Sequence, residues 1–318
     1  MAFLKKINAK AKADTTTGFG ANASSYGGRF VTKSGNPNVR KTGIGFFESI
    51  SWYHTMVNIP RWKFLLILMV FYFVMNCFFA TLYYLIGVEH LKGVEMTTAA
   101  DKFGQAFFFS IQTFTTVGYG HISPDGFATS AISAIEALFG LLSFAIATGL
   151  FYGRFSKPKA HILFSQNAVI APYGSGTALM MRITPYKNAH LTDVEAKITL
   201  GLQLNEKEKV SNKFYVLDLE MNRVNSLNLS WTLVHPITET SPLFGLTESD
   251  YKNNLGEIIV FIKAFDDMFS ATVVKRTSYI FEEVVYSAKF NPMFSRSTDD
   301  SRTLLHIDKL NSFDKVEL

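Results

Sequence analysis

The chain holds a single cysteine, Cys77, among 318 residues, so no disulfide forms within it and thiol chemistry has no pair to work with. Charge is scarce as well. Asp, Glu, Lys and Arg make up 18% of the residues and the net charge is +5, with the basic residues beside apolar runs and not along one stripe, which argues against a nucleic-acid partner. There is no GxxxxGK loop, no GxSxG elbow and no paired metal-ligand spacing, and the seven histidines are scattered, so no enzyme chemistry is expected. What abounds is apolar: hydrophobic residues reach 48%, with 30 phenylalanines, and mean hydropathy is +0.14.

Two runs account for much of that excess. FLLILMVFYFVMNCFFATLYYLI, Phe64 to Ile86, carries no charge and spans roughly 35 Å at about 1.5 Å per residue, against a bilayer core about 30 Å thick. ATSAISAIEALFGLLSFAIATGLFY, Ala128 to Tyr152, is as long, has small residues spaced for close helix packing, and carries only Glu136 as a charge. Both read as transmembrane helices, over 64–86 and 128–153. The first is too long, and starts too late, for the apolar region of a secretory signal.

Arg40, Lys41, Arg61 and Lys63 precede the first span and Arg154, Lys157 and Lys159 follow the second, whereas the loop between them has only Lys92 and Lys102. The positive-inside bias then puts both termini in the cytoplasm, and the protein in the cell (inner) membrane as a multi-pass protein. IGFFESISWYHTMVNIPRW, 44–62, mixes aromatic and polar residues and reads as an interfacial helix or as an ordinary linker. Residues 1–43 read as a flexible cytoplasmic segment.

Between the spans, ADKFGQAFFFSIQTF (Ala100 to Phe114) is apolar enough for a short re-entrant helix, expected over 102–114. Such an element is tolerated at membrane depth only where protein buries it or it lines a cavity. Its C-terminal end carries the negative pole of the helix dipole and favours a cation. Thr116, Val117, Gly118, Tyr119 and Gly120 follow at once. For successive carbonyl oxygens to face one axis, alternate residues need backbone angles that glycine supplies with little strain, which is the use read for Gly118 and Gly120. One chain supplies one wall of an oxygen-lined path, so three further identical subunits are needed to replace the water around a dehydrated ion. TVGYG is itself the type sequence of a potassium-channel filter. A glycine turn in an external loop would leave the preceding helix and the flanking spans unexplained. No run has arginine at every third position, as a voltage sensor requires.

Beyond residue 154 the pattern changes. HILFSQNAVI, TALMMRITP, DVEAKITLGLQL, KFYVLDLE, LNLSWTLVHPI, GEIIVFIKAFD and ATVVKRTSYIF are short, rich in β-branched and aromatic residues, and separated by turn-prone or charged segments. A β-sandwich over 154–318 is expected. The fold class is therefore an α+β membrane protein, two transmembrane helices with a re-entrant helix and filter followed by a β domain.

SIQTFTTVGYG, GLFYGRFSKPKA, ITETSPLFG (Ile237 to Gly245) and HIDKLNSFD together resemble the prokaryotic branch of the inward-rectifier potassium channels, over about residues 45 to 315. The resemblance implies a homotetramer whose immunoglobulin-like cytoplasmic domain extends the ion path. It places the inner gate at Tyr152 and a second constriction in a loop made of Tyr286, Ser287, Ala288, Lys289 and Phe290. It also implies that Glu283 lines a cation-gathering vestibule, that anionic phospholipids such as phosphoinositides regulate the channel, and that no cofactor is needed beyond the transported K+.

Along the second span, Gly140, Phe144, Thr148 and Tyr152 recur at i, i+4 and read as one face that lines the pore or packs on the first span. Gly140 and Gly149 permit bending, or serve close packing. Glu136 reads either as a functional carboxylate or as a filter support bonded to the re-entrant helix near Gln112 or Thr115. Arg61, Lys63, Arg154, Lys157 and Lys159 read as a lipid-headgroup cluster or as simple topogenic charge.

The sequence also departs from its relatives. Strongly rectifying members carry an acidic residue in the inner cavity, where internal polyamines and Mg2+ block, and Phe144 stands there instead. Gln112 takes the place of a pore-helix glutamate of the eukaryotic members, and their cysteines flanking the filter are missing. Two rival readings stay open: a β domain that is only an adaptor for soluble partners, and a non-conducting receptor with a β-sandwich ligand domain.

Overall fold

A computed structural model describes residues 7–8, 10–19, 29–45, 48, 50–94, 98–187, 190–206, 209–297 and 302–318. The chain divides into two compact units, residues 42–157 and residues 1–41 with 158–318.

In the first unit, helix α1 (Trp52–Asn58) is followed by the long helix α2 (Arg61–Ile86). Pro60 forces the break. Its ring disfavours helical backbone at the preceding residue, and Ile59 is accordingly extended, with ψ 155°. Of the interfacial helix expected over 44–62, Trp52–Asn58 forms α1 and Arg61 and Trp62 already belong to α2, while residues 46, 47 and 49 lie outside the described residues.

Gly87, at φ 114°, ends α2, and the chain returns through helix α3 (Ala99–Phe114) to helix α4 (Phe127–Phe155). Helix α3 starts three residues earlier than the sequence implies because Thr98 and Asp101 form a reciprocal capping box, Asp101 N donating to Thr98 Oγ1 at 3.2 Å and Thr98 N to Asp101 Oδ2 at 3.1 Å. Phe79, Ala80 and Tyr83 of α2 pack with Ala106, Phe109 and Phe114 of α3. By contrast Leu65, Leu66, Met69, Val70, Phe73 and Val74 point outward. Apolar surface of that extent suits a hydrocarbon solvent. A short ladder, β1 (Leu91–Lys92) against β2 (Ser123–Pro124), ties the two ends of the loop between α2 and α4, supported by a Lys92–Asp125 ion pair at 2.9 Å.

The second unit is a sandwich of two five-stranded sheets. One runs β11 (Ala271–Ile280), β10 (Gly256–Asp266), β6 (Leu191–Glu206), β7 (Lys209–Leu217), with β8 (Arg223–Ser226) also on β6. The other runs β12 (Val284–Tyr286), β4 (Ala168–Tyr173), β5 (Gly176–Pro185), β3 (Ile162–Phe164), with β9 (Trp231–Pro236) also on β5. Period-two alternation decides what is inside: Leu179, Met181 and Ile183 of β5 meet Ile198, Leu200 and Leu202 of β6 and Ile258, Val260 and Ile262 of β10 in one buried core. Helix α5 (Glu248–Asn253) closes one end. Four further strands follow: β13 (Ala288–Phe290), β14 (Phe294–Arg296), β15 (Thr303–Leu305) and β16 (Phe313–Lys315).

The N-terminal stretch differs from the flexible segment expected over 1–43. Val31 N donates to the buried Glu257 Oε1 at 3.0 Å and Phe30 N to the other carboxylate oxygen, while Thr277 Oγ1 donates to Lys33 O at 3.0 Å. Further back, Asp14 N donates to Phe214 O at 2.8 Å and Thr199 Oγ1 to Asp14 Oδ2 at 2.8 Å. Residues 1–6, 9 and 20–28 lie outside the described residues. The segment is held by its backbone and by single side chains, among them Phe30 and Val31 buried with Phe214, and these are too few and too spaced to show an apolar periodicity.

Candidate functional site

Helix α3 ends at Thr115, and the next residues turn sharply under its last turn. The Gln112 carbonyl accepts from Val117 N at 3.0 Å and Gly118 N at 3.3 Å, and Thr116 N donates to Thr113 O at 3.0 Å. From there φ alternates in sign: Thr116 at 59°, Gly118 at 54° and Gly120 at 82° are left-handed, and Val117 and Tyr119 between them are not. The two glycines adopt such angles freely, whereas a β-branched threonine does so only under constraint from its surroundings. All five residues are exposed on the single chain, Tyr119 at 78%. A Cβ added at Gly118 or Gly120 would meet nothing within 4 Å, so at these positions it is φ, and not crowding within the chain, that requires glycine.

Glu136, at 0% exposure on α4, is fixed from two sides. Tyr83 Oη of α2 donates to its Oε2 at 2.6 Å, and Ser110 Oγ of α3 donates to its Oε1. Asn76 Oδ1 lies 3.2 Å from the same Ser110 hydroxyl. The partners expected were Gln112 or Thr115, and neither is used. Gln112 sits two residues on from Ser110, about 200° around the helix, and the Thr115 hydroxyl is occupied by Ile111 O at 2.7 Å. The signal for the true partners is polar residues inside apolar runs: Ser110 after three phenylalanines, and Asn76 and Tyr83 seven residues apart on one face of the first span.

Gly140, Phe144, Thr148 and Tyr152 do not form one face. Each i+4 step turns about 40° past a full turn, so Tyr152 lies about 120° from Gly140. Gly140 is buried, and a Cβ there would stand 1.9 Å from Phe114 O. Its role is close packing on the end of α3, not lining. Phe144 and Tyr152 are 74% and 73% exposed, and Thr148, whose hydroxyl donates to Phe144 O at 2.9 Å, is exposed between them. Gly149 has open space around it.

The basic cluster also separates. Arg154 Nη2 donates to Ile59 O at 2.8 Å and Nη1 to Met56 O, with the guanidinium 4.5 Å from the centre of the Phe64 ring. Lys157 Nζ donates to Asn58 Oδ1. Both therefore cap the C-terminal end of α1, where cations suit the helix dipole, and are not free as headgroup ligands. Arg61, Lys63 and Lys159 remain exposed.

In the β unit, the segment expected as a constricting loop is mostly strand. Ala288 and Phe290 are buried on β13, which pairs with β16, so they serve a small core with Val169 and Ala171. Lys289 points outward, Tyr286 is half-buried, and Ser287 turns the chain at φ 55°. Glu283, expected to line a vestibule, is engaged within the chain. Arg29 Nη2 lies 2.6 Å and Lys33 Nζ 3.1 Å from its Oε2, which also accepts from Ile280 N at 3.1 Å. Burial alone would raise its pKa, but Arg29 and Lys33 outweigh that and hold it below the usual glutamate value.

Two apolar spans, a re-entrant helix between them and a loop of alternating φ at its end define a membrane protein built like a pore subunit. Comparison with known proteins agrees: a family described as ion channel matches residues 67–157, and the inward rectifier potassium channel C-terminal domain matches residues 162–318. The chain is 30% identical over 281 residues to the inward rectifier potassium channel Kirbac3.1 of Paramagnetospirillum magnetotacticum, covering 87% of this chain and 92% of that one. It is 26% identical over 295 residues to the G protein-activated inward rectifier potassium channel 2 of Pongo abelii, covering 84% and 68%. It is also 24% identical over 309 residues to the inward rectifier potassium channel irk-1 of Caenorhabditis elegans, covering 89% of this chain and 56% of that one. The chain belongs to the inward rectifier potassium channel family, a family of membrane ion channels and not of enzymes, whose transported ion is K+.

Proposed function

We propose that four copies of this chain surround one axis and pass K+ through a filter made by the carbonyls of Thr116 to Gly120. The observation that carries this reading is the alternation of φ at Thr116, Gly118 and Gly120, which turns successive peptide groups to the same side. Four such walls replace the hydration shell of K+, and α3 directs its negative pole at the space behind them. Exposure of Val117 and Tyr119 on the single chain fits side chains covered by neighbouring copies.

On this reading both termini and the β sandwich are cytoplasmic, as the lysine and arginine placement implies. Phe144, Thr148 and Tyr152 line the path below the filter, with Tyr152 as the narrow ring. Arg61, Lys63 and Lys159 meet anionic phospholipid headgroups, each contributing about 1 kcal/mol, while Arg154 and Lys157 hold α1 in place. Ser287 and Lys289 are the members of the 286–290 segment left to face an ion path.

The test is rubidium uptake into liposomes containing the purified chain, with Gly118→Ala beside it. Selective uptake by the wild type and none by an intact Gly118→Ala tetramer supports the filter; selective uptake by both overturns it.

A further inference from the structure

In the β unit, the ends of β4, β5 and β12 and the chain leading into α5 surround a cavity of about 280 Å3. Ile170, Gly176, Leu243, Leu246, Tyr251 and Tyr286 contribute to its wall, and of the lining side chains only Thr177 and the two tyrosines are polar. Tyr251 is 3% exposed, yet its hydroxyl has no hydrogen-bond partner among the described residues. Its ring is held by Phe281, edge-on at 4.9 Å between centroids, and by Tyr286 at 6.2 Å, which leaves the hydroxyl little freedom to seek solvent.

Buried hydroxyls are rarely left unpaired. A pocket whose side chains are mainly apolar, with backbone polar groups and a few polar side chains between them, is the composition of a small-molecule site. We propose that the cavity binds a small uncharged molecule with an apolar ring and one carbonyl or ether oxygen, which accepts the hydrogen bond of Tyr251. Burial raises the pKa of that hydroxyl, so it stays a donor throughout the physiological range.

The site adjoins a turn able to respond to it. Tyr286 pairs with Ile170 across β12 and β4, both line the cavity, and the next residue, Ser287, is left-handed at φ 55°. An occupant packed against Tyr286 restrains that turn.

The experiment uses the purified full chain and cyclohexanone, with cyclohexane as the same ring lacking an acceptor, and follows hydrogen exchange over 284–290. Cyclohexanone is expected to slow exchange there in a saturable way and cyclohexane to do so more weakly. Tyr251→Phe keeps the ring and should weaken cyclohexanone binding about fivefold, the worth of one hydrogen bond. Gly176→Leu, where an added Cβ meets open space, fills the cavity and should abolish the effect. No slowing in the wild type overturns the site, as does equal slowing in all three proteins, and equal affinity in wild type and Tyr251→Phe overturns the role of the hydroxyl.

Discussion

The Tyr83 hydroxyl lies 2.6 Å from the Glu136 carboxylate, so the last turn of the first transmembrane helix is bonded to the second. The other carboxylate oxygen takes the hydroxyl of Ser110, which extends the tie to the helix that carries the filter. A carboxylate at 0% exposure is tolerable only because both oxygens are used. Tyr83→Phe removes one donor, keeps the ring that packs on Phe109, and is expected to lower stability by about 1–3 kcal/mol. Glu136→Ala strands the Tyr83 hydroxyl, leaves Ser110 only Asn76 Oδ1 as acceptor, and should cost more. Melting of the purified protein in detergent measures both, and an unchanged Tyr83→Phe would show that the bond contributes nothing.

Two glycines of α4 give opposite expectations. At Gly140 a methyl group would overlap Phe114 O at 1.9 Å, and Phe114 leads directly into the filter, so Gly140→Ala must push α3 away and should abolish rubidium uptake. At Gly149 nothing lies within 4 Å, and Gly149→Ala should stabilise the helix by about 0.5–1 kcal/mol. If Gly149→Ala instead blocks uptake with the fold intact, bending or packing against another copy at Gly149 becomes the explanation.

The contrast between these glycines shows what a sequence can and cannot disclose. The spans, the helix between them and the loop of alternating φ are legible because each is local: an uncharged run of span length, a shorter run beside it, and glycines spaced for alternating φ. The sandwich is legible through β-branched runs cut by turns. The partners of Glu136 are not, because they depend on the rotation of three helices about their axes, which spacing within one helix does not fix. Nor is the N-terminal stretch, whose attachment joins backbone N–H groups on Glu257, ion pairs to Glu283 and a small cluster of Phe30, Val31 and Phe214, partners that lie far along the chain. The segment 286–290 reads as a loop since its strand pairs with residues 313–315, far along the chain.

That N-terminal attachment should depend on pH. Glu283 bonds Arg29 and Lys33, and its pKa lies below the ordinary 4.5. A carboxyl depressed in the folded state stabilises it above the unfolded pKa and ceases to do so as pH falls through the folded pKa. Protection of amides 29–33, corrected for intrinsic exchange, is thus expected to fall on acidification below about 4.5, and Glu283→Gln should flatten that decline. Glu257 acts in the opposite sense, since burial raises its pKa and its contribution weakens as pH rises from 4.5. A decline of the same steepness in Glu283→Gln would assign it elsewhere, for example to Asp14.

Phe144 offers the sharpest test of the inner path. It is 74% exposed on α4, one turn above Thr148, and on the proposed tetrameric reading it lines the path where a multivalent cation from the cytoplasm would come to rest. Holding such a cation requires something to offset its lost hydration. Four carboxylates would do so through several Coulomb terms in a medium of low effective dielectric. Four phenylalanine rings offer cation–π attraction of about 0.5–2 kcal/mol per favourable contact, and only in the right geometry. Internal spermine is therefore expected to block the wild type weakly and with shallow voltage dependence, and to block Phe144→Asp more tightly and more steeply. Recordings in symmetric potassium from bilayers holding each protein measure this. Strong wild-type block that the substitution leaves unchanged would put the blocking site outside the Phe144 ring, because a new ring of four negative charges cannot leave a polycation bound beside it unaffected.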